Sequence, residues 1–145
     1  MSGSEKHRDL RFVVIGAGMA GILSGIKLKE AGHRNVTIYE KADRIGGTWR
    51  ENTYPGLTCD VPSHSYTYSF EPNPDWSRYL PPGAEIQDYF ERTTRKYGID
   101  KLIRCNEEIT SCEYRHGRWH IETRNGTRDE ADVVIAATGV LHVPR

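Results

Sequence analysis

No apolar run in this 145-residue chain is long enough to cross a bilayer as a helix, which takes about 20 consecutive apolar residues. An excess of charge is missing too: 20 basic residues balance 20 acidic ones, for a formal net charge of zero. Nucleic-acid binders carry a basic excess or stripe, so this balance argues against that class. Cysteine is scarce. Cys59, Cys105 and Cys112 are odd in number and include no Cys-x-x-Cys pair, which argues against a disulfide framework or a zinc knuckle; no metal site is expected. The spacing of Cys105 and Cys112 suits two neighbouring strands, with packing as their role. Cys59 has no base near it in sequence to activate its thiol as a nucleophile. The opening MSGSEKHRDLR lacks the apolar core of a secretion signal. It reads as a polar tail over residues 1–9, and the expected setting is a reducing cytoplasm.

What is present is a globular composition, 37% hydrophobic and 28% charged, of about one domain's length. Leu10–Ile15 (LRFVVI) is a short β-branched run that stops at a glycine turn, the pattern of a buried strand. Ala20–Glu30 spaces Ile22, Leu23, Ile26 and Leu28 as a helix packed on a sheet does, and Gly32 is placed to end it. Val36–Tyr39 is a second strand, closing on Glu40. These three segments predict a right-handed β-α-β unit with parallel strands.

Residues 41–84 have little periodicity and are rich in Gly, Pro, Ser, Asn and Tyr. Loops this long are functional or disordered, and the aromatics Trp49, Tyr54, Tyr66, Tyr68, Phe70, Trp76 and Tyr79 argue against disorder. An ordered loop packed around something is expected. Glu85–Tyr97 returns to helical spacing, with Ile86, Tyr89, Phe90 and Tyr97 on one face as core contacts and Gly98 as the stop. Leu102–Arg104 reads as a further parallel strand. Ile109–Tyr114 and Trp119–Thr123 read as strands joined at Arg115–Arg118, and Asn125-Gly126 marks a hairpin turn. Asp132–Ala137 (DVVIAA) reads as a buried parallel strand ending at Thr138-Gly139.

Two glycine motifs carry the chemistry. Gly16-Ala17-Gly18-Met19-Ala20-Gly21 is a GxGxxG pattern between a strand and a helix, and Glu40 ends the next strand about 20 residues on. Gly16 permits the tight turn, Gly18 lets backbone approach a pyrophosphate, and Gly21 lets helix and strand pack closely. The helix N-terminus offers N–H groups to phosphate. Glu40 can accept hydrogen bonds from ribose hydroxyls and would repel a 2′-phosphate, so FAD or NAD suits this site better than NADP. The second motif lies in RIGGTWRENTYPGLTCD, residues 44–60. Gly46 and Gly47 let backbone pass close to a ligand, Thr48 adds a hydroxyl and Trp49 a flat face. A second cradle so soon after the first suits a long cofactor such as FAD. Arg44 and Arg50 are read either as phosphate contacts or as partners of acids, and His64 as a hydrogen-bonded loop residue.

Together GAGMAG, Glu40, GGTW at 46–49, YPG at 54–56, CDVPSHSYTYSF at 59–70 and ATG at 137–139 resemble the FAD-binding part of class B flavoprotein monooxygenases, most closely the Baeyer–Villiger enzymes. The resemblance runs from about residue 10 to Arg145. It implies an α/β, Rossmann-like FAD/NAD(P)-binding fold: a parallel sheet with crossover helices and an added antiparallel hairpin or meander, occupying 10–145 as an incomplete FAD domain. It also implies that NADPH reduces FAD, that O2 adds to the reduced flavin, and that the peroxyflavin attacks a ketone or other carbonyl compound to give an ester or lactone.

Carried over by motif, the resemblance puts Gly16, Gly18 and Gly21 at the pyrophosphate and Glu40 at the ribose. It runs Gly47, Thr48 and Trp49 along the flavin side. Asp60 is set near the isoalloxazine ring, orienting a catalytic arginine. Tyr66 and Ile109 touch FAD, and the backbone of Thr138 and Gly139 lies near its phosphate or ribitol. A second glycine-rich fingerprint for NADPH and an FxGxxxHxxxW signature belong to the family but not to this sequence. The chain is therefore expected to be a portion of a longer enzyme, to lack the NADPH domain, and not to oxygenate substrate by itself. The other readings are a portion of an N- or S-oxygenating flavin monooxygenase, against which CDVPSHSYTYSF argues, and a non-catalytic nucleotide-binding fragment.

Overall fold

Strand β1, Phe12–Ile15, is apolar throughout because both its faces are covered. Side chains alternate across a strand, and here Phe12 and Val14 join one hydrophobic cluster while Val13 and Ile15 join another. The computed structural model describes residues 9–142. The expected tail therefore lies, apart from Asp9, outside the described residues, as does the end of the chain at 143–145.

After β1 come helix α1 (Met19–Glu30) and strand β2 (Val36–Tyr39). The strands pair in parallel, Phe12 with Val36 through Ile15 with Tyr39, as the β-α-β pattern predicts. Gly32 ends α1 at φ +87°, its N–H bonding the Lys29 carbonyl and that of His33 the Leu28 carbonyl, both at 3.0 Å. That is a Schellman closure, which favours glycine. Gly98 repeats it after α3 (Gly83–Lys96), with the N–H of Ile99 on the Thr94 carbonyl at 3.2 Å. Strand β3 (Ile103–Arg104) adds to β2, and β7 (Val133–Ala136) adds to β1, giving the parallel order β3-β2-β1-β7. A separate antiparallel sheet holds β4 (Ile109–Arg115), β5 (Arg118–Thr123) and β6 (Arg128–Ala131) in sequence order.

The parallel sheet is sandwiched. One face packs Val14, Val36 and Ile38 against Ile22 and Ile26 of α1 and Ile86, Tyr89 and Phe90 of α3. The aromatic stripe of α3 is thus core, as its spacing predicts. The other face packs Val13 and Tyr39 against Ile121 and Ala131 of the antiparallel sheet. Polar groups also join the sheets. Arg11 pairs with Asp129 and bonds Asn35 and Thr37 at 2.9 and 3.0 Å, while the Tyr39 hydroxyl donates to Asp129 at 2.7 Å. Burial and that carboxylate push the Tyr39 hydroxyl up to about 12.

The stretch 41–84 is an ordered loop, with a one-turn helix α2 (Thr48–Glu51) and a 3-10 turn at Ser63–Ser65. Tyr68 is its anchor: 4% exposed, stacked on Phe70, and donating its hydroxyl to the Met19 carbonyl at 2.7 Å. Tyr54 and Tyr79 belong to this ordered loop but are 60% and 72% exposed, so they take no part in its packing. Two further expectations are corrected. Cys105 follows β3 while Cys112 lies in β4 of the other sheet, so they are not on neighbouring strands, and all three cysteines are free. Strand β7 has β1 as its one neighbour among the described residues, so Val133 to Ile135 are half-buried and Ala136 is exposed rather than fully enclosed.

Candidate functional site

The two glycine turns meet. The Gly46 N–H bonds the Ala17 carbonyl at 2.9 Å, and a Cβ added to Gly47 would lie 3.1 Å from the Gly18 Cα. Gly16 and Gly21 have the tasks read from the motif. Gly16 has φ +101°, and a Cβ there would lie 2.5 Å from the Ala137 carbonyl oxygen; a Cβ on Gly21 would lie 1.8 Å from the Gly16 carbonyl oxygen. Gly46 lies in the wall of the cavity where the turns join, as expected of a close-approach glycine, and has a second constraint. Its φ is +124°, and a Cβ would lie 1.8 Å from Oε1 of Gln87, so the glycine accommodates a buried side chain of α3. Gln87 donates to the Ile45 carbonyl at 2.8 Å and to Glu91 at 2.9 Å, clamping the second turn from behind.

A cavity of about 550 Å³ opens where the turns join. Its wall includes Gly16, Gly18 and Glu40, Gly46, Gly47, Thr48, Trp49 and Tyr66, and Ile109, Thr138 and Gly139. Gly21 and Asp60 are not in its wall. Gly21 sits within α1 against β1, and Asp60 is exposed on the loop after Cys59. The wall also contains residues that sequence reasoning did not single out as site residues, among them Lys41, Glu51, Glu107, Glu108 and His142. Glu107 and Glu108 precede Ile109, but no motif in the sequence marks them.

Glu40 is 7% exposed, and its carboxylate accepts from the Ala17 N–H at 2.8 Å and the Ala42 N–H at 2.9 Å. These bonds lock it at the end of β2, and each oxygen keeps a second acceptor position. The α1 N-terminus begins at Gly18 with no side-chain cap and no acid in its first turn. Its first N–H groups and its partial positive charge therefore face the cavity without competition. Thr48 and Trp49 line the same cavity. The Thr48 oxygen accepts from Asn52 at 3.0 Å, and the Trp49 indole donates to the Tyr66 hydroxyl at 3.0 Å. Burial holds the Tyr66 hydroxyl above its ordinary pKa, so it stays protonated near neutrality.

The arginines resolve toward acids. Arg50 pairs with Asp43 and, at 2.9 Å, with Glu51, while Arg44 lies 3.9 Å from Glu91. Cys59 is buried, its sulfur accepting from the Val61 N–H at 3.4 Å. His64 is exposed on the 3-10 turn.

Residues 14–81 match the family described as NAD(P)-binding Rossmann-like domain. The chain is 52% identical over 132 residues to an uncharacterized monooxygenase of Mycobacterium tuberculosis, covering 91% of this chain and 27% of that protein. It is 44% identical over 142 residues to an FAD-binding monooxygenase of Aspergillus terreus, covering 92% and 25%, and 40% identical over 141 residues to a Baeyer–Villiger monooxygenase of Streptomyces coelicolor, covering 96% and 27%. Among solved structures it is similar to cyclohexanone monooxygenase from Rhodococcus sp. Phi1 bound to NADP+, with a TM-score of 0.85 and 32% identity over 94% of this chain and 27% of that one. The chain spans about a quarter of the length of the curated relatives it matches. Over that quarter it is similar, in sequence and in fold, to the FAD-binding and Baeyer–Villiger monooxygenases.

Proposed function

We propose that this chain supplies the FAD cradle of a flavin-dependent monooxygenase of the Baeyer–Villiger type, working with NADPH and O2 on a ketone or related carbonyl compound. The observation that carries the reading is the junction of the two glycine turns beside an uncapped helix N-terminus. The residues present fit the cofactor. Gly16, Gly18 and Gly47 leave stretches of the cavity wall without side chains, where a diphosphate could approach, N–H groups of α1 could bind it, and the cavity falls within the roughly 300–1,000 Å³ of small-molecule sites.

Bound FAD would supply the electron transfer from NADPH and the oxygen activation that set one oxygen atom beside the carbonyl. This chain's own residues bind and orient. Glu40, locked by two backbone N–H groups, would accept from the ribose hydroxyls and disfavour a 2′-phosphate at this end. Gly16, Gly18 and the start of α1 would hold the diphosphate. Gly47, Thr48, Trp49 and Tyr66 would line the path toward the flavin, together with Ile109, Thr138 and Gly139. Asp60 makes no ion pair and no side-chain hydrogen bond among the described residues. We assign it a positioning role toward an arginine rather than a contact within this cavity.

Titrating the purified chain with FAD and following flavin fluorescence and visible absorption tests the reading. One equivalent of FAD bound, with NAD+ and NADP+ failing to displace it, is the expected result. A chain that leaves FAD free, or that takes NAD+ in preference, would overturn it.

A further inference from the structure

The Trp49–Tyr66 pair has a chemical asymmetry. An indole N–H can only donate, whereas a phenol has one proton to give and lone pairs to accept with. The Trp49 Nε1 lies 3.0 Å from the Tyr66 oxygen, and the rings meet edge-to-face with centroids 5.7 Å apart at 80°. The tyrosine is therefore the acceptor in this bond, and its proton is left over. No hydrogen bond among the described residues uses that proton. Both side chains stand in the cavity wall.

We infer that Trp49 is a positioning residue: by filling the acceptor side of the Tyr66 hydroxyl, it turns Tyr66 into a fixed hydrogen-bond donor toward an acceptor oxygen of the nucleotide in the cavity. A phenol without this partner can rotate or accept a bond from water. With it, the proton of this half-buried hydroxyl has one useful direction, toward an acceptor in the cavity that Tyr66 lines. This inference rests on the flavin reading above and adds to it the identity of the group that sets the donor.

A double-mutant cycle on FAD affinity tests it, because coupling is what distinguishes positioning from independent packing. Tyr66→Phe is expected to weaken FAD about tenfold, the scale of one lost hydrogen bond. Trp49→Phe should weaken it about threefold when Tyr66 is present and have no further effect in Tyr66→Phe. Trp49→His, which keeps an N–H donor, should recover most of the loss, and thermal melts identify any variant that loses its fold. If Trp49→Phe misfolds, the comparison of Trp49→His with Trp49→Leu serves in its place. Losses that simply add, or a Tyr66→Phe chain that binds FAD as the parent chain does, would overturn the inference while leaving the flavin reading intact. A parent chain that binds no FAD would overturn both.

Discussion

Gly18 and Gly47 lie back to back, close enough that a Cβ on Gly47 would stand 3.1 Å from the Gly18 Cα. They belong to turns 29 positions apart in the chain (47 − 18), yet each forms part of the other's wall. Gly47 also has φ +57°, a backbone state that side chains disfavour. Gly47→Ala is therefore expected to cost about 1–3 kcal/mol through strain and overpacking and to weaken FAD binding at least tenfold. Gly56→Ala is the control: φ is +82°, but nothing lies within 4 Å of its Cβ. It should cost only about 1 kcal/mol and leave binding unchanged. Urea melts and FAD titration of the two variants check this.

Gly21 is the most tightly constrained of the fingerprint glycines, since its Cβ would meet the Gly16 carbonyl at 1.8 Å. Backbone cannot move aside as a flexible side chain can. Gly21→Ala should destabilise the chain by about 3 kcal/mol or more. Ala20→Ser, one position earlier on the exposed side of α1, should stay within about 0.5 kcal/mol of the parent.

Glu40→Gln probes the locked carboxylate. Replacing one oxygen by an NH2 group sets donor against donor at either Ala17 or Ala42. The expected cost is about 1–3 kcal/mol, with weaker FAD binding and less discrimination against NADP+ in competition. Unchanged stability together with unchanged selectivity would remove Glu40 from the proposed ribose site.

The Arg11–Asp129–Tyr39 network predicts the pH limits of stability. Burial alone would raise the Asp129 pKa, but its bonds from Arg11 and Tyr39 hold it below the usual carboxylate range. Its contribution is present above the ordinary aspartate pKa and is lost as pH falls through the depressed value. Tyr39 behaves oppositely: raised to about 12, it contributes fully below the ordinary tyrosine pKa of about 10 and loses that contribution as pH rises toward 12. Tyr39→Phe should flatten the alkaline loss in thermal melts, and Asp129→Asn the acidic one.

Val140 and Leu141 help bound the cavity and yet are 86% and 74% exposed, so water has access to this end of it. Oxygen transfer by a flavin requires a water-poor site. With FAD, NADPH and a ketone supplied, the chain is expected to form no ester or lactone above the level of free FAD. Gas chromatography of the reaction checks this, and ester formation at enzymatic rates would refute it.

Much of this could be read from the chain alone. Local rules govern the pieces: a β-branched run makes a strand, Gly32 and Gly98 close helices because they accept positive φ, and Asn125-Gly126 turns a hairpin. The GxGxxG spacing fixed the roles of Gly16 and Gly21, because those roles depend on neighbours a few residues away or on the next parallel strand. What could not be read depends on distant partners. Gly46 lines the cavity, but nothing in the sequence shows that its tight neighbour is Gln87, 41 positions later (87 − 46). The cavity wall at Glu107 and Glu108 carries no motif. Asp60 belongs to the same quoted stretch as Gly47 and yet lies outside the wall.

The sequence by itself determined the main strands and the two long helices, the parallel β-α-β order and the presence of two glycine turns, since these follow from backbone freedom and the alternation of apolar residues. Only the tertiary structure decided that the turns touch at Gly18 and Gly47, that Glu40 is held by Ala17 and Ala42, and that Trp49 donates to Tyr66. Those relationships are set by which helix and which sheet pack together, and burial of apolar surface, which drives that packing, is non-directional. The hydrogen bonds that then pick one arrangement join residues that no local spacing brings together.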